Sequence, residues 1–395
     1  VAKITKDKIE IVDFSKSYVE PEMSAVNWDI KNSGKCGYPF YMEKEIMEQP
    51  DVIRNTLHNK LRDNVPDFSS DNVDESIFAE CKSISIVACG TAMHSGLIAK
   101  QLIEKNCGIP VTVYMASEFI YCEPIISRDT LVICVSQSGE TIDTLEALKY
   151  AQRQDAKILS IVNVRGSVIA KRSENVIYTD AGPEIAVAST KAYTSQLVTF
   201  YLITAKMAYM RGCFNSEGLA SFMDELKKVP NAVEEVFSNK DKIHHIAGSL
   251  LTAEHAFMIG RGMDYPALLE ASLKLKEISY IHSEAFASGE LKHGTIALIT
   301  KNTPVIALMT QKYLASKQVS NIKEVQSRGA QVITICTKSL KSFATNDFIE
   351  LPDIDDEFTV IPAVSVMQLL AYYVSSDKGL DVDKPRNLAK VVTVE

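Results

Sequence analysis

The sequence predicts an α/β protein built from two tandem copies of one domain, each copy a doubly wound parallel sheet. An apolar strand that ends in glycine and leads into a helix occurs at Gly90 and again at Gly262. Two later pairs of segments match in the same order and at nearly the same offset: 130–135 with 303–308, and 156–161 with 330–335. Short β-branched runs alternate with amphipathic stretches in both copies, which is typical of a parallel sheet with helices on both faces. The sequence therefore indicates an internal duplication.

The elements of the first copy follow from this alternation. Apolar runs rich in β-branched residues predict five strands, and stretches of helical periodicity predict three helices. The strands are expected at 83–89, 111–115, 130–135, 157–162 and 175–178, and the helices at 92–105, 140–153 and 190–211.

The second copy repeats the pattern. Its strands are expected at 256–260, 296–299, 304–309, 331–336 and 347–350, and its helices at 264–280, 315–328 and 362–375. We divide the chain into an N-terminal linker segment, two domains, a polar helical connector between them, and an extended tail. The linker segment contains Trp28 and a helix-like stretch at 42–61. The boundaries are 1–74, 75–214, 215–246, 247–386 and 387–395.

Composition excludes several classes of protein. With 46% hydrophobic and 23% charged residues, the chain is neither disordered, collagen-like nor a coiled coil. Its net charge of −8 argues against a nucleic acid or an anionic membrane as partner. No CxxC pair occurs among eight cysteines, which predicts buried, reduced thiols in a cytoplasmic protein. No apolar run approaches the roughly 20 residues of a membrane helix, and no HExxH spacing indicates a metal.

A serine-rich loop is the sharpest candidate for ligand binding. Residues 135–141, Val-Ser-Gln-Ser-Gly-Glu-Thr, follow a predicted buried strand and begin a helix. A helix start offers free N–H donors to a phosphate, Ser136, Ser138 and Thr141 add hydroxyls, and Gly139 allows close approach. The alternative is a serine-rich helix cap. Because no GxxxxGK[ST] motif occurs, a nucleoside triphosphate is not expected. The counterpart in the second copy, 309–313, lacks the serines, which predicts one phosphate loop per chain.

Acid–base candidates come from the second copy. Glu270, Lys274 and Glu277 recur at i, i+4 and i+7, so they share one face of a predicted helix. They form either an exposed ion-paired face or, if covered, a carboxylate tuned as a base by its lysine. His293 lies in a polar loop before the predicted strand at 296–299, a position suited to proton transfer.

Two further loops carry candidate ligand contacts. In 182–191, Ser189 or Thr190 either caps the following helix or binds a hydroxylated ligand. The extended tail carries Lys390. Either the tail docks and Lys390 reaches a pocket, or the tail is frayed, as extended chain ends often are.

Taken together, these motifs resemble the isomerase part of the glutamine–fructose-6-phosphate aminotransferase (isomerising) family, also called glucosamine-6-phosphate synthases. The resemblance covers nearly the whole chain and implies two flavodoxin-like sugar-isomerase (SIS) domains in tandem. It rests on the segments 41–50, 136–141, 182–191, 270–284, 289–294 and 385–390.

The resemblance implies a role for each matching residue. Phosphate contacts fall on Ser136, Gln137, Ser138 and Thr141, and sugar contacts on Thr91, Val187, Ser189 and Ala389. Glu277 matches the base that moves a proton between C1 and C2, with Lys274 and Glu270 as its neighbours. His293 matches the residue that opens the sugar ring from the partner subunit, and Lys390 matches a lysine near the open-chain sugar. Ala92 departs from the family, which commonly has serine there, so a side-chain contact to phosphate is lost.

The implied reaction joins fructose 6-phosphate and ammonia into glucosamine 6-phosphate, the first step of hexosamine and UDP-GlcNAc biosynthesis. Glucose 6-phosphate is the implied product of isomerisation alone. The resemblance also implies a cytoplasmic homodimer, no metal or redox cofactor, and a glutaminase domain, absent from this sequence, as the source of ammonia. Two alternatives stay open: a sugar-phosphate deaminase or deglycase of the same layout, and a non-catalytic sugar-phosphate sensor that does not need Glu277 and His293.

Overall fold

A computed structural model describes residues 1–21 and 34–393. Trp28 and the last two residues of the predicted tail lie outside the described residues. The chain divides into two compact units, 1–36 and 37–395. The first contains a three-stranded antiparallel sheet of β1 (Ala2–Ile4), β2 (Ile9–Val12) and β3 (Tyr18–Val19), with β2 in the middle.

The second unit begins with short elements that precede the first sheet. They are α1 (Tyr41–Met47), α2 (Gln49–Asn59), β4 (Leu61–Arg62), β5 (Val65–Pro66) and α3 (Ser76–Glu80). Strands β4 and β5 pair antiparallel. The helix-like stretch predicted at 42–61 is therefore two helices, and Pro50 lies in the first turn of α2, where its missing N–H has no helical partner to lose.

The first copy forms a five-stranded parallel sheet. Its strands are β6 (Ser83–Ala88), β7 (Val111–Met115), β8 (Thr130–Ser136), β9 (Lys157–Val162) and β10 (Asn175–Tyr178). Its helices are α4 (Gly90–Cys107), α5 (Ala116–Phe119), α6 (Ile142–Arg153), α7 (Val168–Arg172) and α8 (Lys191–Met210). The sheet order β7-β6-β8-β9-β10 is the flavodoxin-like 2-1-3-4-5 order, which confirms the predicted fold class.

The second copy has the same topology. A connector of α9 (Ser216–Leu226), α10 (Val229–Ser238) and α11 (Lys240–Ala247) leads into it. Its strands are β11 (His255–Gly260), β12 (His282–Ala287), β13 (Pro304–Met309), β14 (Gln331–Thr337) and β15 (Asp347–Leu351), in the order β12-β11-β13-β14-β15. Its helices are α12 (Asp264–Ser279), α13 (Ala315–Gln326) and α14 (Val360–Asp377).

One predicted strand is wrong. Residues 295–298 form a 3-10 turn, and the second strand of this copy is β12, which pairs with β11 from His255–His282 to Gly260–Ala287. The apolar run at 296–299 suggested a buried strand, yet Leu298 is exposed. Strand β12 lies at the edge of the sheet, where most of its side chains are only partly buried. An edge strand does not need the apolar run from which buried strands are predicted.

The two copies share one core. Helix α4 packs on both α8 and α12, and α12 packs on α14. A single cluster of buried side chains includes Ile133 and Ile306, one from each sheet, and Phe200 of α8. The outer face of each sheet has a smaller core of its own. This shared inner layer places α4 of the first copy directly against α12 of the second.

Two expectations from composition need correction. The sequence analysis found no apolar run of membrane-spanning length, but the stretch Asp356–Asp377 is long and apolar enough to cross a membrane. Its most apolar 18 residues are entirely buried within the protein, as in a core helix. All eight cysteines are free thiols, as predicted, but Cys36, Cys122 and Cys213 are exposed rather than buried.

Candidate active site

A pocket opens beyond the carboxyl ends of β6 and β8. The helices that follow these two strands, α4 and α6, pack on opposite faces of the first sheet. In an open parallel sheet, ligands bind at such a reversal of strand order, beyond the carboxyl ends of the strands. The pocket has a volume of about 120 Å³. Its lining consists of Cys89, Thr91, Ala92, Val135, Ser136, Gln137, Ser138, Thr141, Val187, Ser189, Gln196 and Lys390. Residues from four separate stretches of sequence thus meet at one sheet edge.

The serine-rich loop is ordered by its own side chains. The hydroxyls of Ser136 and Thr141 lie 2.9 Å apart, and the N–H of Gly139 donates to Ser136 Oγ at 3.0 Å. Gly139 has a φ of +67°, and a Cβ there would lie 2.0 Å from Ser167 Oγ, so only glycine fits. The loop therefore presents hydroxyls and backbone N–H groups in a fixed arrangement before α6 begins.

The corresponding edge of the second sheet carries a carboxylate, that of Asp264. Asp264 accepts hydrogen bonds from the backbone N–H of Thr310 at 2.9 Å and from its hydroxyl at 2.5 Å. Burial raises the pKa of Asp264 to about 6. In the repeat, Asp264 corresponds to Ala92 of the first copy, so a carboxylate of the chain fills the place that the first copy leaves open.

Two side chains of α4 reach across to α12. Thr91 donates from Oγ1 to Glu270 Oε1 at 3.1 Å, and His94 Nδ1 lies 2.8 Å from Glu270 Oε2. The side chain of Glu270 is fully buried. Sequence reasoning did not select His94. Its spacing of three residues from Thr91, which places both on one helical face, was the available signal.

Lys274 links the pocket to the carboxylates of α12. Its Nζ lies 3.0 Å from Thr91 Oγ1, 2.5 Å from Glu277 Oε2 and 3.5 Å from Glu270 Oε1. The side chain of Lys274 is 1% exposed, so the predicted alternative of an exposed ion-paired face is wrong. Burial alone would lower the pKa of Lys274, but the charges of Glu270 and Glu277 outweigh it and raise that pKa. A buried cation therefore lies between two carboxylates at the pocket wall.

Lys390 anchors the tail to the wall formed by 182–191. Its Nζ donates to Glu184 Oε2 at 2.6 Å and to the carbonyl of Ala186 at 2.8 Å. Glu184 also accepts from the backbone N–H groups of Thr190 and Ala192. Burial favours the neutral form of Glu184, but Lys390 holds its pKa below the ordinary value. The tail is thus docked in the described structure, rather than frayed. Sequence reasoning overlooked Glu184 within a loop it had selected.

Glu45 of α1 completes this wall. Its Oε1 accepts from the N–H groups of Ile185 at 2.5 Å and Ala186 at 3.3 Å. Burial, and then the charge of Glu184, raise the pKa of Glu45 from 4.5 to about 8. The loop that carries Val187 and Ser189 into the pocket is therefore held by a carboxyl group that prefers its proton.

The raised pKa of Glu45 predicts how stability depends on pH. The folded chain binds this proton more tightly than the unfolded chain, so the contribution is present below pH 4.5 and is lost as pH rises toward 8. We expect Glu45→Gln to flatten the decline of the free energy of unfolding between about pH 5 and 8, measured by urea titration. Glu174→Gln, at an exposed site, should leave the decline as in wild type. An unchanged slope in Glu45→Gln would contradict the prediction.

Five predicted site residues lie outside the pocket lining. Two of them, Glu270 and Lys274, lie on α12 and contact Thr91 of the lining. Glu277 borders a neighbouring cavity of about 320 Å³ together with Tyr280 and tail residues 386–388. Ala389 is exposed beside Lys390. His293 is exposed in a 3-10 turn, Glu290–His293, so the described part of a single chain does not bring it to the pocket. Among the described residues, no group of three or more His, Cys, Asp or Glu side chains is arranged to hold a metal ion.

Comparison with known proteins gives a consistent result. The sequence pattern of the SIS domain family matches residues 77–206 and 249–373. A glutamine–fructose-6-phosphate aminotransferase [isomerizing] from Caldanaerobacter subterraneus subsp. tengcongensis is 45% identical over 398 residues, covering 100% of this chain and 66% of the relative. A protein of the same name from Clostridium tetani is 46% identical over 396 residues, covering 99% and 65%. The chain thus spans about two thirds of the length of these curated relatives.

Solved structures extend the comparison. The C-terminal domain of glucosamine–fructose-6-phosphate aminotransferase from Francisella tularensis superposes with a TM-score of 0.86 at 38% identity, covering 89% of this chain and 100% of that domain. A glucosamine-6-phosphate deaminase from Thermotoga maritima gives a TM-score of 0.66 at 20% identity, covering 89% and 99%. The second likeness concerns the fold alone.

Proposed function

Because the chain belongs to the SIS domain family and corresponds to the C-terminal domain of a glucosamine–fructose-6-phosphate aminotransferase, we propose that it converts fructose 6-phosphate and ammonia to glucosamine 6-phosphate. One observation supports this most directly. Lys274 of the second copy contacts both Thr91 in the pocket of the first copy and Glu277 beside it. A phosphate loop from one copy and a carboxylate from the other therefore serve one ligand.

Phosphate binding is proposed for the serine-rich loop. Ser136, Ser138 and Thr141 supply hydroxyls, and Gln137 supplies a contact from the same turn. The backbone N–H groups before α6 favour an anion, as the start of a helix generally does. Ala92 lines the pocket without a hydroxyl, so at that position only a backbone donor is proposed.

The proposed reaction starts with addition of ammonia to the C2 ketone of open-chain fructose 6-phosphate, and water leaves to form an imine. Glu277 takes a proton from C1, the C1–C2 double bond forms as the C2–N double bond opens, and the nitrogen takes up a proton. The C1 hydroxyl then loses its proton as the C1 carbonyl forms, and a proton is returned to C2. The resulting aldehyde closes to the ring of glucosamine 6-phosphate. Charge that develops on oxygen is stabilised by a nearby cation, the role proposed for Lys274, which Glu270 positions.

The remaining site residues contact the sugar in this proposal. Thr91, Val187, Ser189 and Ala389 bind its hydroxyls, and Lys390 lies near the open chain. His293 opens the sugar ring in the pocket of a partner subunit, which requires a homodimer. We also propose a cytoplasmic location, a glutaminase domain in the whole protein as the source of ammonia, and the domain boundaries 1–74, 75–214, 215–246, 247–386 and 387–395.

Incubation of the purified chain with fructose 6-phosphate tests the proposal. We expect glucose 6-phosphate without ammonium and glucosamine 6-phosphate with it, each followed by NMR, because glucose 6-phosphate has the same mass as the substrate. Tight binding with no conversion under either condition would contradict catalysis and favour a sugar-phosphate sensor.

The phosphate loop has a test of its own. We expect Ser138→Ala to weaken binding of fructose 6-phosphate by about 10- to 100-fold, because a hydrogen bond to a charged group contributes roughly 1.5–3 kcal/mol. Isothermal titration calorimetry measures the change. Ser238→Ala, which removes an exposed hydroxyl at the end of α10, should bind as wild type does. Equal affinities for Ser138→Ala and wild type would remove Ser138 from the site.

A further inference from the structure

The start of α8 carries buried polar groups for which the described residues provide no hydrogen-bond partner. Among the described residues, eight buried side-chain nitrogen or oxygen atoms lack a hydrogen bond, and three of them lie here. They are Thr190 Oγ1, the Tyr193 hydroxyl and Gln196 Oε1, which recur every three residues and so lie toward one side of the helix. Buried polar atoms are rarely left unpaired, because the loss of hydration is costly. Their concentration beside a pocket indicates a site of ligand recognition.

Gln196 is the member of this group that lines the pocket. Its side chain is 2% exposed, yet it borders the same space as Ser136, Ser138 and Lys390. Its carbonyl oxygen lacks a donor. A buried amide that lines a pocket and has an unpaired acceptor is typical of a group that recognises a ligand by hydrogen bonding.

The chemistry of the amide limits what that ligand contributes. A side-chain carbonyl oxygen only accepts hydrogen bonds, so it needs a donor. A phosphate dianion offers acceptors and would be repelled, whereas a sugar hydroxyl donates to the oxygen and can accept from the NH₂ of the same amide. The pocket already supplies hydroxyls and N–H groups for phosphate from its serine-rich loop. Gln196 therefore suits the polyol part of a phosphosugar.

We propose that Gln196 is a further specificity-determining residue, whose side-chain amide accepts a hydrogen bond from a hydroxyl of the sugar chain bound in this pocket. The inference rests on the proposed function, since it assigns a contact to the same substrate. The Gln196 amide distinguishes a hexose phosphate from an inorganic anion, because the anion has no sugar hydroxyl that can donate a hydrogen bond to the amide oxygen.

Calorimetric titration of two ligands tests this assignment. The ligands are an unreactive hexitol 6-phosphate and inorganic phosphate, and the variant is Gln196→Met, which keeps the length of the side chain but has no amide. We expect the affinity for the hexitol phosphate to fall about 10-fold or more, and the affinity for inorganic phosphate to stay within about twofold. Leu197→Met, a buried neighbour on α8, is the matched control and should bind both ligands as wild type does.

Gln196→Asn provides a second variant in case Gln196→Met does not fold, because it keeps an amide but withdraws it by one methylene. The same selective loss is expected. Unchanged affinity for the hexitol phosphate, or an equal loss for both ligands, would overturn this inference alone. Binding of inorganic phosphate but not of hexitol phosphate by wild type would overturn the proposed function as well.

Discussion

Conversion of fructose 6-phosphate to glucosamine 6-phosphate is expected to slow by about 100-fold or more when Glu277 is replaced by glutamine. The amide keeps the shape of the carboxylate but cannot take the proton from C1. Because the phosphate loop and the tail are untouched, binding of the phosphosugar should change by only a few-fold. The variant therefore separates catalysis from recognition.

The geometry explains why this carboxylate, rather than Glu270, is proposed as the base. Glu270 is fully buried and already accepts from Thr91 and interacts with His94. Glu277 is 21% exposed, and its Oε2 is held 2.5 Å from Lys274 Nζ. A base needs access to the substrate as well as fixed geometry. Of the two, only Glu277 is partly exposed, beside a cavity next to the pocket, and this is why it is proposed as the base.

Exchange of the C1 hydrogen with deuterated water, followed by NMR, measures the step directly. Glu254→Gln changes an exposed carboxylate in the same domain and should exchange at the wild-type rate. Wild-type exchange in Glu277→Gln would rule out Glu277 as the base and indicate that a different group takes the proton from C1.

Local patterns predicted most of the fold because buried strands and amphipathic helices leave direct marks in sequence. The repeat at Gly90 and Gly262 predicted both sheets, and among their ten strands only β12 was misplaced. Strand β12 lies at the edge of its sheet and is partly exposed, so it lacks the apolar run that marks a buried strand. Local patterns do not predict contacts between segments that are distant in sequence. Glu45 and the loop after Glu184 are joined by hydrogen bonds, yet no period in the sequence connects them.

The site shows the same division. The serine-rich loop and the spacing of Glu270, Lys274 and Glu277 are local. The structure places the loop in the lining of the pocket and Lys274 in contact with Thr91 of that lining. Gln196 was not selected because a glutamine within a long apolar helix carries no local signal. Its importance comes from an unpaired oxygen, which depends on what surrounds it in three dimensions.

Replacement of Lys274 by methionine is expected to lower the free energy of unfolding by about 3–5 kcal/mol. Methionine fills a similar space, but it leaves Glu270 and Glu277 without the cation between them, and removal of one partner from a buried ion pair is strongly destabilising. Urea denaturation measures the loss. Lys276→Met, at an exposed neighbouring position, should change stability by about 0.5 kcal/mol or less.

A second substitution identifies the cause of this loss. If an uncompensated carboxylate is responsible, adding Glu270→Gln to Lys274→Met should recover part of the stability, because the most buried charge is then removed. If packing alone were responsible, the double variant would be no more stable than Lys274→Met. The recovered variant should remain slow in catalysis, because the cation proposed to stabilise charge on oxygen is still absent. Stability and activity would then separate at a lysine that joins the two copies.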